Sequence, residues 1–210
     1  MAQTDIKMVV DQFAEAAKRS IAAGFQVAEI HAAHGYLLHQ FLSPLSNHRR
    51  DEYGGELKNR MKLPLEVAKT VRETWPSELP VFIRISATDW IEGGWDLSQS
   101  VEFSKELKKI GIDLVDCSSG GVAPGAKIPI APGYQVKFAE EVKKQTGIMT
   151  GAIGLITDAA QAENILAAGQ ADVVIMAREF LRDPYFPLHA AKVLGDDPQY
   201  PKQYLRAKPK

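Results

Sequence analysis

The sequence predicts an α/β fold built on a parallel sheet, and three observations carry that prediction. Short apolar runs alternate five times with stretches of helical spacing. The runs end near positions 31, 86, 118, 151 and 177, mostly about thirty residues apart, the length of one βα unit. The runs are continuously apolar rather than alternating, the pattern of strands covered on both faces.

Each element is legible in turn. Val10, Phe13, Ala17 and Ile21 fall at helical spacing, and Gly24 stands where a glycine closes a helix. "QVAEI", residues 26–30, follows as a buried strand, and then a long polar stretch containing Gly54 and Gly55. Helical spacing resumes from 59 to 75, and "VFIRIS", 81–86, is the second strand. Asp96 with Gln99 three residues on resembles a capping box, opening a helix that carries Phe103, Leu107 and Ile110. "DLVDCS", 113–118, is the third strand; a loop rich in Gly and Pro leads to a helix over 135–145. "IMTGA", 148–152, is the fourth strand, and Thr157 or Asp158 caps a helix ending at Gly169. "ADVVIMA", 171–177, is the fifth strand, followed by a helical tail.

Five such units fit either an open parallel sheet or part of a (β/α)8 barrel. No Gly-x-Gly-x-x-Gly follows any strand, which argues against a dinucleotide-binding sheet. With 210 residues, 45% of them hydrophobic, the chain can bury a core, and a single domain over 1–210 is expected. A formal net charge of -1 gives no reason to expect nucleic acid or an acidic membrane as partner. One cysteine, the lack of a membrane-length apolar run and the lack of a secretory pattern lead to the expectation of a cytoplasmic protein.

In parallel α/β folds chemistry collects at the carboxyl ends of strands. Here the first strand end offers His31, His34 and Tyr36, the second Arg84, the third Cys117 to Gly121, the fourth Gly151 and Gly154, and the fifth Ala177 and Arg178. The last two ends suit a phosphate, through backbone N–H groups and a guanidinium; the competing reading is turn glycines, with Arg178 paired to Glu179 or Asp183. Arg84 lies within an apolar strand, so it needs either an acidic neighbour such as Glu29 or Asp116, or an anionic or electron-rich ligand. His31 and His34 lack a third metal ligand nearby and lack zincin spacing, so no metal is expected. Two neutral imidazoles can instead donate to one oxygen where charge develops, and Tyr36 can supply a proton. His39, His48 and His189 read as structural or surface residues, and Cys117 as a packed thiol.

"AEIHAAHGYLLHQFLSPLSNHRRDEYGG" resembles the central signature of the old yellow enzyme family of FMN-dependent ene-reductases. "VFIRISATDW", "DLVDCSSGG", "PGYQVKFAEEVKKQTGIMTGAIGLITDAAQAENIL" and "ADVVIMAREFLRDPYFPLHAA" resemble the same family in the same order. Gln203, Tyr204, Leu205 and Arg206 resemble the ending of its bacterial thermophilic-like NADPH dehydrogenases. The resemblance implies a TIM barrel with FMN at its C-terminal mouth, reduced by NADPH or NADH and oxidised by an activated alkene such as an enone or nitroalkene. It implies that His31 and His34 hold the substrate's carbonyl or nitro oxygen, that Tyr36 protonates the α-carbon, and that Arg84 contacts the flavin ring. It further implies that the backbones of Gly151, Gly154, Ala177 and Arg178 cradle the phosphate; many relatives have glycine where Ala177 stands, and a backbone donor survives that change. Arg206 resembles an arginine that enters a neighbouring subunit's site.

Family members are longer, and the resemblance begins just before the fourth barrel strand. Strands 4 to 8 are therefore expected here, with Met1 either internal to a longer parent or the start of a truncated or split chain. Alone, such a chain is expected to be unstable or oligomeric, or to need a complementing chain that supplies strands 1 to 3. The second functional reading is a non-catalytic fragment that holds no flavin without that partner. A different phosphate-binding barrel enzyme would call for a lysine or carboxylate at a strand end, and none is convincing.

Overall fold

The computed structural model describes residues 1–208. Helix α1 (Gln3–Ala22) leads into β1 (Ala28–Ala32), and α2 (Leu37–Leu42) and α3 (Leu57–Thr74) precede β2 (Val81–Ser86). Then come α4 (Leu97–Ile110), β3 (Leu114–Ser118), α5 (Val136–Thr146), β4 (Met149–Ala152), α6 (Ala159–Ala167) and β5 (Val173–Val174). Helices α7 (Arg178–Arg182) and α8 (Phe186–Leu194) and a 3-10 segment (Lys202–Ala207) follow. All five strands are parallel and lie in the order β1-β2-β3-β4-β5. A doubly wound sheet reverses its strand order at a switch point. This sheet never reverses, so it is wound in the manner of a barrel.

The local signals explain where the helices start and stop. The Asp96 side chain accepts from the Gln99 N–H at 3.0 Å, and Asp158, not Thr157, accepts from the Gln161 N–H at 2.8 Å. Gly24 has φ +86° just beyond α1, a conformation glycine adopts at no steric cost.

Three elements differ from the sequence expectation. The first strand runs two residues later, because Phe25 and Val27 are exposed and pairing with β2 starts at Ala28. The stretch after β1 is not merely a polar insertion: it contains α2, which buries Leu38, His39, Phe41 and Leu42. Buried Arg60 ties that stretch down, donating to the carbonyls of Leu42 and Gly55 and to Gln99 Oε1. The fifth strand is two residues rather than seven, since β5 has a ladder partner on one side only among the described residues.

The strand register fixes what each face of the sheet carries, because every second residue points the same way. Ile30, Ile83 and Val115, with Ala32, Ile85, Cys117 and Ala152 two residues on, all enter the hydrophobic core with Val67, Ala68 and Val71 of α3 and Phe138, Ala139 and Val142 of α5. The other face carries the row His31, Arg84, Asp116, Gly151 and Val173, above the row Glu29, Phe82, Leu114 and Met149. That face is less covered: Met149 is 50% and Val173 36% exposed. Among the described residues no helix is long and apolar enough to cross a membrane.

Candidate active site

The loop after β1 places the two histidines. His34 takes φ +57°, unusual for a residue with a side chain, and Gly35 follows at +76°. The His31 and His34 ring centroids are 5.2 Å apart, as are those of His31 and Tyr36. Tyr36 is 63% exposed at the start of α2, so its hydroxyl is open to a ligand.

Backbone and buried side chains hold this loop. The His34 N–H donates to Ser86 Oγ at 2.9 Å, and Ser86 Oγ donates to the Gly120 carbonyl at 2.8 Å. The Gly35 N–H donates to His39 Nδ1 at 2.9 Å, so that nitrogen carries no proton and His39 Nε2 donates to Asp89 Oδ1 at 2.9 Å. Asp89 also accepts from Ser43 Oγ at 2.6 Å and from the Trp95 N–H at 2.8 Å. His39 is thus structural in a specific sense: wholly buried, it connects the site loop to the loop after β2.

Both site histidines are neutral at physiological pH. Burial, then the positive charge of Arg84, pulls His34 down to about 4 and His31 in the same direction. Neutral imidazoles can each donate one hydrogen bond to a ligand oxygen. His34 Nε2 lies 2.6 Å from Ser118 Oγ, so a ligand oxygen reaching that nitrogen takes the place of the Ser118 hydroxyl.

A cavity of about 240 Å³ opens at the carboxyl ends of β4 and β5, lined among others by Arg84, Ser118, Gln135, Gly154, Ala177 and Arg178. Pockets that enclose a whole cofactor-sized ligand usually run to several hundred Å³, so this one suits one end of such a ligand. Gly154, which lines the cavity, has φ +113° and lies so close to Gln135 that a Cβ would sit 3.2 Å from it, so its backbone conformation and the packing of Gln135 both call for glycine. Among the described residues, Arg178 has no carboxylate within ion-pair distance: Glu179 pairs with Arg182 at 2.5 Å and Asp183 with His189 at 2.7 Å. The surface pairing considered from sequence is therefore not what Arg178 does.

Two expectations shift here. Gly151 does not line the cavity. It sits in the sheet between Asp116 and Val173, and a Cβ there would meet Ile175 Cδ1 at 2.6 Å. It is a glycine because Ile175, which does line the cavity, packs across it. Arg84 both lines the cavity and has an acidic neighbour: its Nε lies 3.1 Å from Asp116 Oδ2. Arg206 stands apart on the exposed 3-10 segment. Residues that sequence reasoning did not single out are Ser86, which carried no pattern, and Asp89, whose partner His39 is fifty positions away. Ser118 was visible only as one polar residue among several at a strand end.

Sequentially wound parallel strands, with polar side chains gathered at their carboxyl ends, define a protein of the (β/α)8-barrel class, of which these five strands form an arc. Within that class, the chain belongs to the NADH:flavin oxidoreductase / NADH oxidase family, whose model matches residues 1–197. It is 50% identical over 202 residues to an NADPH dehydrogenase of Listeria innocua, covering 96% of this chain and 59% of that protein. It is 48% identical over 206 residues to an NADPH dehydrogenase of Bacillus subtilis, covering 98% and 60%. The chain thus spans about 60% of the length of the curated relatives it matches. Among solved structures, a 2-naphthoyl-CoA reductase complex with 2-naphthoyl-CoA superposes with a TM-score of 0.85 at 29% identity, over 93% of this chain and 30% of that one. Morphinone reductase in complex with tetrahydroNAD gives 0.75 at 28% identity, over 96% and 52%.

The family's flavin fits the residues present. Arg84 Nε is buried without an aligned hydrogen-bond acceptor, and Arg178, which lines the same cavity, has no carboxylate partner among the described residues.

Proposed function

We propose that this chain carries the substrate-binding and phosphate-holding part of an FMN-dependent reductase of activated alkenes, driven by NADPH or NADH. The observation that carries the reading is the row His31–Arg84 on adjacent strands, with His34 and Tyr36 beside it and a cationic cavity at the ends of β4 and β5. FMN, when bound, supplies the hydride. His31 and His34, kept neutral, hold the carbonyl or nitro oxygen of an enone or nitroalkene, stabilising negative charge as it develops there. The Tyr36 hydroxyl, exposed and next to His31, delivers the proton to the α-carbon. Arg84 faces the flavin ring with a positive charge that favours its reduced, anionic form. The backbones of Gly154, Ala177 and Arg178, with the Arg178 guanidinium, hold the phosphate. Arg206, exposed near the end of the chain, is available to a neighbouring subunit's site. The partly covered sheet face that carries Phe82, Met149 and Val173 supports assembly with further copies or with a complementing chain.

The test separates the two half-reactions in the FMN-loaded protein. Tyr36→Phe should leave NADPH-driven flavin reduction unchanged and slow reoxidation by an enone by about a hundredfold or more. Equal loss in both would remove Tyr36 from the proton-donor role.

A further inference from the structure

We propose that Asp116 is a positioning residue for Arg84: its carboxyl group holds the guanidinium against the cavity and, by gaining or losing a proton, sets how much positive charge an anion there meets. The inference rests on the reading of Arg84 as the residue that faces the bound flavin, and deepens it.

The geometry is unusual for an ion pair that serves stability alone. Asp116 is fully buried, 0% exposed, and stands between Arg84 and Gly151 in the same row of the sheet. Neither carboxylate oxygen has a hydrogen-bond donor among the described residues, and neither does the Arg84 Nε have an aligned acceptor. The 3.1 Å approach of Nε to Oδ2 is therefore a charge contact without a well-directed bond. A buried carboxylate normally gathers several donors. This one has a single guanidinium, whose side chain is itself at the cavity wall. Arg84 is thus divided between an internal anion and whatever occupies the cavity.

The charged groups around Asp116 can be named strand by strand. From β1 come Glu29 and His31, and from β2 comes Arg84; β4 and β5 offer Gly151, Met149 and Val173, none ionisable. His34 lies on the loop beyond β1. Burial raises the Asp116 carboxyl most, Glu29 raises it further and Arg84 opposes both, leaving it at about 7. Below that value the group is neutral and the Arg84 charge is uncompensated. Above it the carboxylate neutralises Arg84. Anion binding at this end of the cavity should therefore strengthen as pH falls through 7.

Two measurements on the 210-residue chain test this. With 13C-labelled aspartate, the Asp116 carboxyl should titrate near neutrality, and Arg84→Gln should move its midpoint upward. A midpoint below 5, or one unmoved by Arg84→Gln, overturns the coupling. Fluorescence titration with FMN should show roughly fivefold tighter binding at pH 6 than at pH 8, the effect over this interval of about one pK unit of coupling. Asp116→Asn should remove that difference beyond what the phosphate group's own titration contributes, since the variant meets the same phosphate. An unchanged pH dependence in Asp116→Asn also overturns the proposal. FMN bound at neither pH would instead overturn the reading that this chain holds the flavin by itself, while the carboxyl titration still decides whether Asp116 and Arg84 are coupled.

Discussion

Gly35→Ala is expected to dismantle the histidine loop and to lower stability by about 3 kcal/mol or more, the range of severe backbone effects. A Cβ at this position would stand 2.2 Å from the Gly121 carbonyl oxygen and 2.9 Å from its carbon. Both are backbone atoms and cannot step aside as a flexible side chain can. The residue also has φ +76°, a region that disfavours L side chains. The contact is reciprocal, since a Cβ on Gly121 would stand 2.5 Å from the His34 Cα. The loops after β1 and β3 therefore touch backbone to backbone, and that contact sets the distance between His34 and Ser118. Gly24→Ala is the matched control: its φ is +86°, but a Cβ there meets nothing within 4 Å. It should cost about 1–2 kcal/mol, the strain alone. Denaturant unfolding of both variants measures the difference, and equal losses would show that the loop contact contributes nothing.

Asp89→Ala should be comparably damaging. It strands three buried donors at once: His39 Nε2, Ser43 Oγ and the Trp95 N–H. Each unsatisfied buried donor costs about 1–3 kcal/mol, so a loss of about 3 kcal/mol or more is expected, with Ser43→Ala costing much less. The effect has a pH signature. Burial pushes the Asp89 carboxyl up, but hydrogen bonds from His39, Ser43 and the Trp95 N–H outweigh it and hold the group below its ordinary value. A carboxyl depressed in the folded state contributes stability above its unfolded pKa, about 4, and that contribution is lost as pH falls through the folded value. The gap between Asp89→Ala and the parent should therefore be widest at neutral pH and narrow in acid. Thermal melts at pH 7 and pH 3 check this; a gap unchanged by pH would mean that Asp89 is held by something other than its charge.

Much of this architecture is written locally in the chain, and some is not. The strand–helix alternation is legible because each element carries its own signal, as with Asp96 and Gln99 opening α4. The His31–His34–Tyr36 group is legible because it is local, and Asp116 is legible as one of two acids open to Arg84 because both lie on strands expected to neighbour it; the register then places Asp116, not Glu29, directly beside it. The Asp89–His39–Gly35 connection is not legible: it joins two loops, and neither residue has a local pattern that marks it. Gly151 reads as a cradle glycine because glycine near a strand end has two explanations, ligand approach and neighbouring bulk. Only the position of Ile175 chooses between them. Helix α2 escapes because six residues are too few to display a period, and the two-residue strand β5 because an apolar run does not reveal how many strands flank it.

The central claim is that the cavity at the ends of β4 and β5 receives the phosphate of a flavin whose ring lies toward His31 and Tyr36. Fluorescence titration of the chain with FMN and with riboflavin, in the parent and in Arg178→Ala, tests it most directly. The parent should bind FMN at least tenfold tighter than riboflavin, as expected for one charge-assisted contact of about 1.5–3 kcal/mol, and Arg178→Ala should erase most of that preference while leaving riboflavin binding unchanged. Riboflavin bound as tightly as FMN, or an FMN preference untouched in Arg178→Ala, would contradict it.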